Sequence, residues 1–245
     1  MVALILCGLA FGVSFVAGRR SLVAGIAAAL AVGYFYGILR ANVLSALSHF
    51  IFDAGLIGLY LARLTRLNHA DRTRNRQLVF WLVPLIGWPL LLLLLPTQDP
   101  MVRLVGLRAQ VFFLPVLVLG ARLERDELYR LALCIAALNL VAFTFGVAEF
   151  FLGVERFYPR SPVTELIYRS NDIFTGSFIG AFRIPAIFAN SSAYGGVMVM
   201  TLPLLLGAWI QRKRTWHAPL LTIALGATVL GVFMAASRSH FMVLV

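Results

Sequence analysis

This sequence consists of long apolar runs that are separated by short gaps, many of them rich in arginine. The runs cover residues 2–17, 21–39, 42–62, 77–95, 104–120, 131–152, 184–210 and 218–236, and a further run starts at 239. A helix needs about 20 apolar residues to cross a bilayer, and most runs approach or reach that length. We therefore predict an all-α transmembrane bundle of eight spans and the start of a ninth, in one domain over residues 1–245. The run 184–210 is longer than a span needs, so its first turns, Ile184 to Ser192, are expected to lie at the interface or to break from the main helix.

Composition separates this chain from soluble proteins. Hydrophobic residues make up 61% of the sequence and charged residues only 13%, with a mean hydropathy of +0.90. Helices that are apolar on every side face lipid or a large buried core. The net charge of +11 would suggest nucleic acid in a soluble protein. Here the basic residues lie between apolar runs, so membrane topology and anionic lipid explain them, and no nucleic-acid partner is expected.

The distribution of arginine and lysine predicts which gaps lie on the same side of the membrane. The richer side carries Arg19, Arg20, Arg63, Arg66, Arg72, Arg74, Arg76, Arg122, Arg125, Arg130, Arg212, Lys213 and Arg214. The other side carries Arg40, Arg103, Arg108, Arg156, Arg160, Arg169, Arg183 and Arg238. The richer side should be cytoplasmic, which places the N-terminus outside. That orientation is uncommon without a leading segment, so the orientation of the N-terminus stays open.

Two further features follow from this topology. The longest polar stretch, 153–182, falls on the external side, where it suits either a lid or an ordinary connection. The run that begins at Ser239 ends at Val245, and seven residues are too few to cross a bilayer. We therefore expect the sequence to be truncated at its C-terminus, as a fragment of a longer membrane protein.

Two arginines are placed where a lipid-linked anion would meet the membrane surface. Arg183 precedes the run 184–210, and Arg238 lies between the last two runs, so both fall on the external face. A guanidinium group there can bind a diphosphate through paired hydrogen bonds. A helix-end arginine that reaches toward lipid headgroups would occupy the same position, and this alternative stays open.

A histidine and an aspartate share one helical face within the third run. His49 and Asp53 are four residues apart, near the external end of that run. Ionisable residues at such depth suggest function by default, here proton relay or orientation of an acceptor hydroxyl. The alternative is a structural His–Asp hydrogen bond. Glu149, near the external end of the run 131–152, has a weaker claim of the same kind.

The sequence RIPAIFANSSAYGG, followed one hairpin later by AASRSHF, resembles the bacterial O-antigen ligase and O-antigen polymerase superfamily. The elements that carry the resemblance are Arg183, Phe188 to Asn190, the small residues Ser191 to Gly196, and the pair Ser237 and Arg238. Gly106 to Arg108, in the fifth run, looks like a further shared element. The resemblance extends over residues 100–245.

This resemblance implies an integral inner-membrane glycosyltransferase of about a dozen helices, active on the periplasmic side. It implies an undecaprenyl-diphosphate-linked oligosaccharide as donor and a glycan or lipid A–core as acceptor, with membrane lipid around it. The reaction looks metal-independent and needs no cofactor. Arg183, Arg238 and Arg108 would bind the diphosphate. Asn190 would contact sugar or phosphate, or would instead satisfy a broken helix end.

The sequence departs from the family in one respect. The family's large periplasmic loop, with its candidate histidine base, follows the helix that here begins near Ser239, so no catalytic base is assigned. The pattern fits a ligase and a polymerase equally. A multi-pass transporter or flippase of lipid-linked glycan is the main alternative, with His49 and Asp53 available for coupling, and a membrane scaffold is the third.

Overall fold

The computed structural model describes residues 1–63, 76–93, 100–162, 164, 165, 168, 183–211 and 215–235, and this part of the chain is helical without a strand. Its α-helices are α1 (Val2–Arg20), α2 (Leu22–Asn42), α3 (Ile51–Arg63), α4 (Arg76–Leu93), α5 (Pro100–Val111), α6 (Leu114–Gly120), α7 (Arg125–Leu152), α8 (Ser191–Ile210) and α9 (His217–Ala235). Short 3-10 helices at Ala46–Phe50 and Val154–Arg156 precede α3 and follow α7.

Five of these helices, α1, α2, α7, α8 and α9, are long and apolar enough to cross a membrane. The predicted all-α membrane bundle is confirmed at this level. The predicted count of eight spans and the start of a ninth is not supported. The run that begins at 239 lies outside the described residues, as do Arg238 and most of the predicted external loop.

Two predicted spans are broken in the structure, whereas the run 77–95 corresponds to α4 as far as the described residues extend. The run 42–62 is divided between the 3-10 helix Ala46–Phe50 and α3. The run 104–120 is divided between α5 and α6. Pro115 explains the last break, because a proline has no N–H to donate and its ring clashes with the carbonyl four residues earlier. That carbonyl belongs to Val111, the last residue of α5.

Six of the nine described α-helices pack as two groups of three. In the first group, α1 and α2 form a hairpin with Ser21 between them, and both pack against α3. The Ser21 hydroxyl accepts a hydrogen bond from Ala24 N at 3.0 Å and so caps α2. A Cβ atom on Gly25 would lie 2.6 Å from Gly18 Cα, so the hairpin closes to this distance only because both positions lack a side chain. In the second group, α7, α8 and α9 pack together, and α2 joins the two groups through α7.

A buried amide fixes this junction. The Tyr34 hydroxyl donates to Asn139 Oδ1 at 2.7 Å, and Asn139 Nδ2 donates to the hydroxyls of Thr201 at 2.8 Å and Thr228 at 2.9 Å. The four side chains come from α2, α7, α8 and α9. The carbonyl and both N–H groups of the amide are therefore satisfied in an apolar interior, where an unsatisfied one would be costly.

Because successive helices run in opposite directions, one set of helix ends lies together, and we call it the upper end of the bundle. It comprises the C-terminal ends of α2, α7 and α9 and the N-terminal ends of α3 and α8. Asn42 Nδ2 donates to the Phe157 carbonyl at 2.9 Å, and Ile184 N donates to the Met234 carbonyl at 3.2 Å. These bonds connect the end of α2 with the residues after α7, and the residues before α8 with the end of α9.

Candidate functional site

The first group of candidate residues meets at the upper end, around Arg108 of α5. Its Nη2 atom donates to the Asp53 carboxylate, forming an ion pair, and to the His49 carbonyl oxygen at 2.7 Å. The guanidinium carbon lies 4.8 Å from the centre of the Phe50 ring, within the range of a cation–π contact. The Arg108 side chain is 32% exposed and that of Asp53 is 13% exposed. The structure thus brings Arg108, His49 and Asp53 into one cluster, which we call the Arg108 site.

The pairing within this cluster differs from the predicted one. His49 lies in a 3-10 helix and Asp53 in the first turn of α3, so the two are not on one continuous α-helical face. No hydrogen bond joins their side chains, and Asp53 instead pairs with Arg108. His49 contributes its backbone carbonyl, which also accepts a hydrogen bond from the Tyr36 hydroxyl at 3.3 Å.

A cleft of about 250 Å³ opens beside this ion pair. It is lined mainly by aromatic side chains and by both members of the pair, namely Tyr36, Phe52, Asp53, Leu56, Arg108, Phe112 and Phe113. The rings of Phe52 and Phe113 contact each other with centres 5.4 Å apart. A concave site with an aromatic wall and one fixed charged group is the usual form of a small-ligand site.

The charge of the Arg108 site suits an anion. Within the described residues, Nε and Nη1 of Arg108 have no hydrogen-bond partner, since its bonds to Asp53 and His49 use Nη2 alone. Arg40, in the last turn of α2, also acts on His49 through its charge. Two guanidinium groups and one carboxylate therefore leave a positive excess, with donors that remain available to a phosphate.

The second group of candidate residues lies on another side of α2, around the segment 184–188. From the sequence, Ile184 to Ser192 were expected to lie at the interface or to break from the main helix, and α8 begins only at Ser191. Irregular backbone at membrane depth needs partners for its polar groups. Ala186 N donates to Glu149 Oε2 at 2.9 Å, and the Ile187 carbonyl accepts from Ile38 N at 3.1 Å. The Tyr158 hydroxyl donates to the carbonyls of Ala186 at 2.5 Å and Phe188 at 2.8 Å.

These partners hold the segment in an unusual conformation. Ala186 has a φ of 52°, in the left-handed region that a residue with a side chain seldom adopts. A Cβ atom on Gly37 would lie 2.1 Å from the Phe188 carbonyl carbon, so the segment contacts the bare backbone of α2. Burial raises the pKa of Tyr158, and its phenol therefore keeps the proton that it donates. The residues Ile184 to Phe188 thus have a packing role, because their backbone is held against α2 and α7.

Asn190 caps a helix. Its Oδ1 atom accepts a hydrogen bond from Ala193 N at 2.7 Å, which makes it the N-cap of α8. This is the structural alternative that the sequence analysis left open for this residue. Arg183 is half-buried at the start of the segment and lies at the upper end with the Arg108 site. Tyr36 lines the cleft of the Arg108 site, and the next residue, Gly37, contacts the segment 184–188. Helix α2 therefore lies between the Arg108 site and this segment.

Two residues gain importance from the structure. Glu149, weighed only as a minor candidate, is almost fully buried and binds the segment. Asn139 was missed, although a single amide inside an apolar run is a signal that sequence reading can use.

No protein-family model, curated protein or solved structure matches this chain.

Proposed function

We propose that this chain is a bacterial inner-membrane glycosyltransferase of the O-antigen ligase or polymerase type, with its upper end at the periplasmic face. The observation that carries the proposal is the Arg108 guanidinium, held by Asp53 at an open aromatic cleft, with Nε and Nη1 unbonded among the described residues. The resemblance of the Arg183 motif supports the same reading. In this proposal the shorter helices α3 to α6 enter or cross the membrane beside the five long ones.

The donor would be a polyprenyl-diphosphate-linked glycan. In the reaction, the bond between the anomeric carbon and the phosphate oxygen breaks, and an acceptor hydroxyl forms the new glycosidic bond while its proton passes to a general base. The diphosphate leaves with growing negative charge. A guanidinium already fixed in position stabilises that charge without reorganising. Asp53 would hold Arg108 in place, and Arg183 and Arg238 would supply further positive charge.

The test compares Arg108→Ala with Arg160→Ala in cells that depend on this protein for surface glycan. Arg160 also lies near the upper end, but its side chain is 75% exposed and forms an ion pair with Glu155, which is 65% exposed. We expect Arg108→Ala to abolish glycan assembly at an unchanged membrane level, and Arg160→Ala to leave it intact. Normal glycan with Arg108→Ala would remove the proposal.

A second measurement separates transfer from transport. Purified protein in vesicles would receive a lipid-linked glycan and a glycan acceptor. A new glycosidic bond that depends on Arg108 is the expected result. Movement of the glycan lipid between leaflets, with no new bond, would replace the transferase by the flippase alternative.

A further inference from the structure

The wall of the cleft beside Arg108 is built from aromatic rings that come from separate parts of the chain. Tyr36 belongs to α2, Phe52 to α3, and Phe113 lies between α5 and α6. The Phe52 ring joins the other two, with its centre 6.2 Å from that of Tyr36 and 5.4 Å from that of Phe113. Phe113 lines the cleft and remains 42% exposed. The cleft therefore offers aromatic ring surface to a ligand.

Two local features hold this wall in place. A Cβ atom on Gly33 would lie 2.8 Å from Phe52 Cε2, so the Phe52 ring packs against the bare backbone of α2. At the break between α5 and α6, the Phe112 carbonyl accepts a hydrogen bond from the Tyr60 hydroxyl at 2.6 Å. The break is thus fixed where Phe112 and Phe113 line the cleft. A wall that is ordered before binding lowers the entropy cost of holding a ligand.

The ion pair supplies the polar part of the same cleft. Asp53 and Arg108 both line it, and their contact joins Asp53 Oδ2 to Arg108 Nη2. Among the described residues, the other carboxylate oxygen, Asp53 Oδ1, accepts no hydrogen bond. An ionised carboxylate accepts at both oxygens, so Oδ1 is available to a hydroxyl group of a ligand. The cleft therefore combines an aromatic wall with a hydrogen-bond acceptor and a guanidinium.

This combination fits a sugar ring. A pyranose has C–H groups on its faces and hydroxyl groups around its edge. The C–H groups carry partial positive charge, which the negative face of an aromatic ring attracts. An edge hydroxyl can donate to Asp53 Oδ1. A prenyl or acyl chain would fit the wall but would desolvate the ion pair without any hydrogen bond in return.

The size of the cleft restricts the ligand further. Its volume of about 250 Å³ is below the roughly 300–1,000 Å³ of sites for drug-sized molecules, so it suits one ring and not a chain of sugars. A diphosphate at Arg108 would bring the sugar bonded to it next to the same cleft. The Asp53 carboxylate would repel an acidic sugar there and so favours a neutral one.

We propose that this cleft binds a single neutral hexopyranose unit, the sugar bonded directly to the diphosphate of the lipid-linked donor. The ring stacks on Phe113 and donates a hydroxyl hydrogen bond to Asp53, while Arg108 binds the adjoining diphosphate. This inference rests on the proposed function and adds the class of the donor's first sugar. It makes Phe113 a residue that determines specificity.

The first experiment measures lipid binding by the full chain in nanodiscs. The probes are a polyprenyl diphosphate that carries one neutral hexose and a polyprenyl diphosphate without sugar. We expect wild type to bind the sugar-bearing probe about 3- to 10-fold more tightly, the size of one aromatic contact. Phe113→Leu keeps an apolar side chain but removes the ring, so it should lose most of this difference. The control Phe151→Leu removes a 77% exposed ring at the end of α7 and should keep it.

The outcomes separate this inference from the proposed function. Equal affinity of wild type for the two probes would overturn the sugar site, whereas the proposed function would stand if Arg108→Ala weakens the binding of both. If wild type binds neither probe, the proposed function fails and this inference fails with it. If Phe113→Leu weakens both probes equally, the cleft holds the prenyl chain, which also excludes the sugar site.

The second experiment tests the contact with Asp53. A third probe carries a hexuronic acid in place of the neutral hexose, and wild type should bind it less tightly. Asp53→Asn removes the repelling charge, so the ratio of the two affinities should fall toward one. Glu155→Gln is the control, since Glu155 is 65% exposed and paired with Arg160, and it should keep the wild-type ratio. A wild-type ratio in Asp53→Asn would overturn the placement of the sugar beside this carboxylate.

Discussion

Two carboxyl groups at the upper end of the bundle have contrasting surroundings. Asp53 lies at an open cleft, faces Arg108 and forms an ion pair with it. Glu149 is buried, meets no cation among the described residues and binds a backbone N–H. Of the two, only Asp53 forms an ion pair within the described residues, and only Asp53 lines an open cleft. The comparison teaches that an ion pair lies where a ligand can enter, while the buried side uses hydrogen bonds to hold irregular backbone in place.

The largest effect should come from closing the space beside the segment 184–188. Gly37→Ala would place a Cβ atom 2.1 Å from the Phe188 carbonyl carbon, which is backbone and cannot move aside freely. We expect a loss of about 3 kcal/mol or more in the free energy of unfolding. Gly12→Ala is the control, since nothing lies within 4 Å of its added atom. Chemical denaturation in detergent would measure both, and equal stability would refute the close contact.

A smaller loss of unfolding free energy should follow from removing one hydroxyl beside the segment 184–188 or one beside the cleft. Tyr158→Phe removes two buried hydrogen bonds to backbone carbonyls and leaves both carbonyls unpaired. We expect it to cost about 1–3 kcal/mol of unfolding free energy. Tyr36→Phe removes a single 3.3 Å bond at the edge of the cleft and should cost about 0.5 kcal/mol. If the two substitutions lower the unfolding free energy equally, the segment 184–188 depends on its hydrogen bonds no more than the Arg108 site does.

The cap of α8 should contribute about 1 kcal/mol. Asn190→Ala removes the acceptor for Ala193 N, whereas Asn190→Asp keeps it. If capping is the whole role of Asn190, the Asp variant keeps both wild-type stability and wild-type glycan assembly. An Asp variant that is stable but inactive would show that the amide N–H groups contact the substrate.

The smallest effect should be seen at the Asp53–Arg108 pair. The pair is partly exposed, so it should contribute about 1 kcal/mol or less and should weaken as salt is added. We expect Asp53→Asn to lower stability slightly at low salt, with the difference shrinking at high salt. Tyr158→Phe measured in the same series should show no salt dependence, because its hydrogen bonds join a phenol to backbone carbonyls. A salt-dependent response at Tyr158 would mean that salt acts on the whole bundle, and the comparison would fail.

The sequence was sufficient for the class of fold but not for its details. Apolar runs predicted the long helices, because length and hydropathy alone decide whether a helix suits a bilayer. They did not reveal the breaks at Pro115 and before Ile51, where local backbone chemistry overrides an apolar pattern. Spacing brought His49 and Asp53 together as candidates, yet the true partner of Asp53 is 55 residues away at Arg108. Partners that far apart in the chain cannot be found from periodicity.

The same limit explains why the buried network was missed. Asn139 is a visible polar residue in an apolar run, but its partners Tyr34, Thr201 and Thr228 are between 62 and 105 residues away. Glu149 was visible too, and its importance depends on an unusual backbone conformation at Ala186 that the sequence does not announce. In both cases the side chain was identifiable and the geometry around it was not.

The Asn139 network also restricts how this protein can move. One amide is bonded to side chains on three other helices, and successive residues on an α-helix point about 100° apart. Rotating any of the four helices by a single residue would therefore pull a hydroxyl or the amide out of register. Sliding one helix along its neighbours would do the same. Any conformational cycle that preserves these bonds has to tilt α2, α7, α8 and α9 as one rigid block, with its hinges in the connections around them.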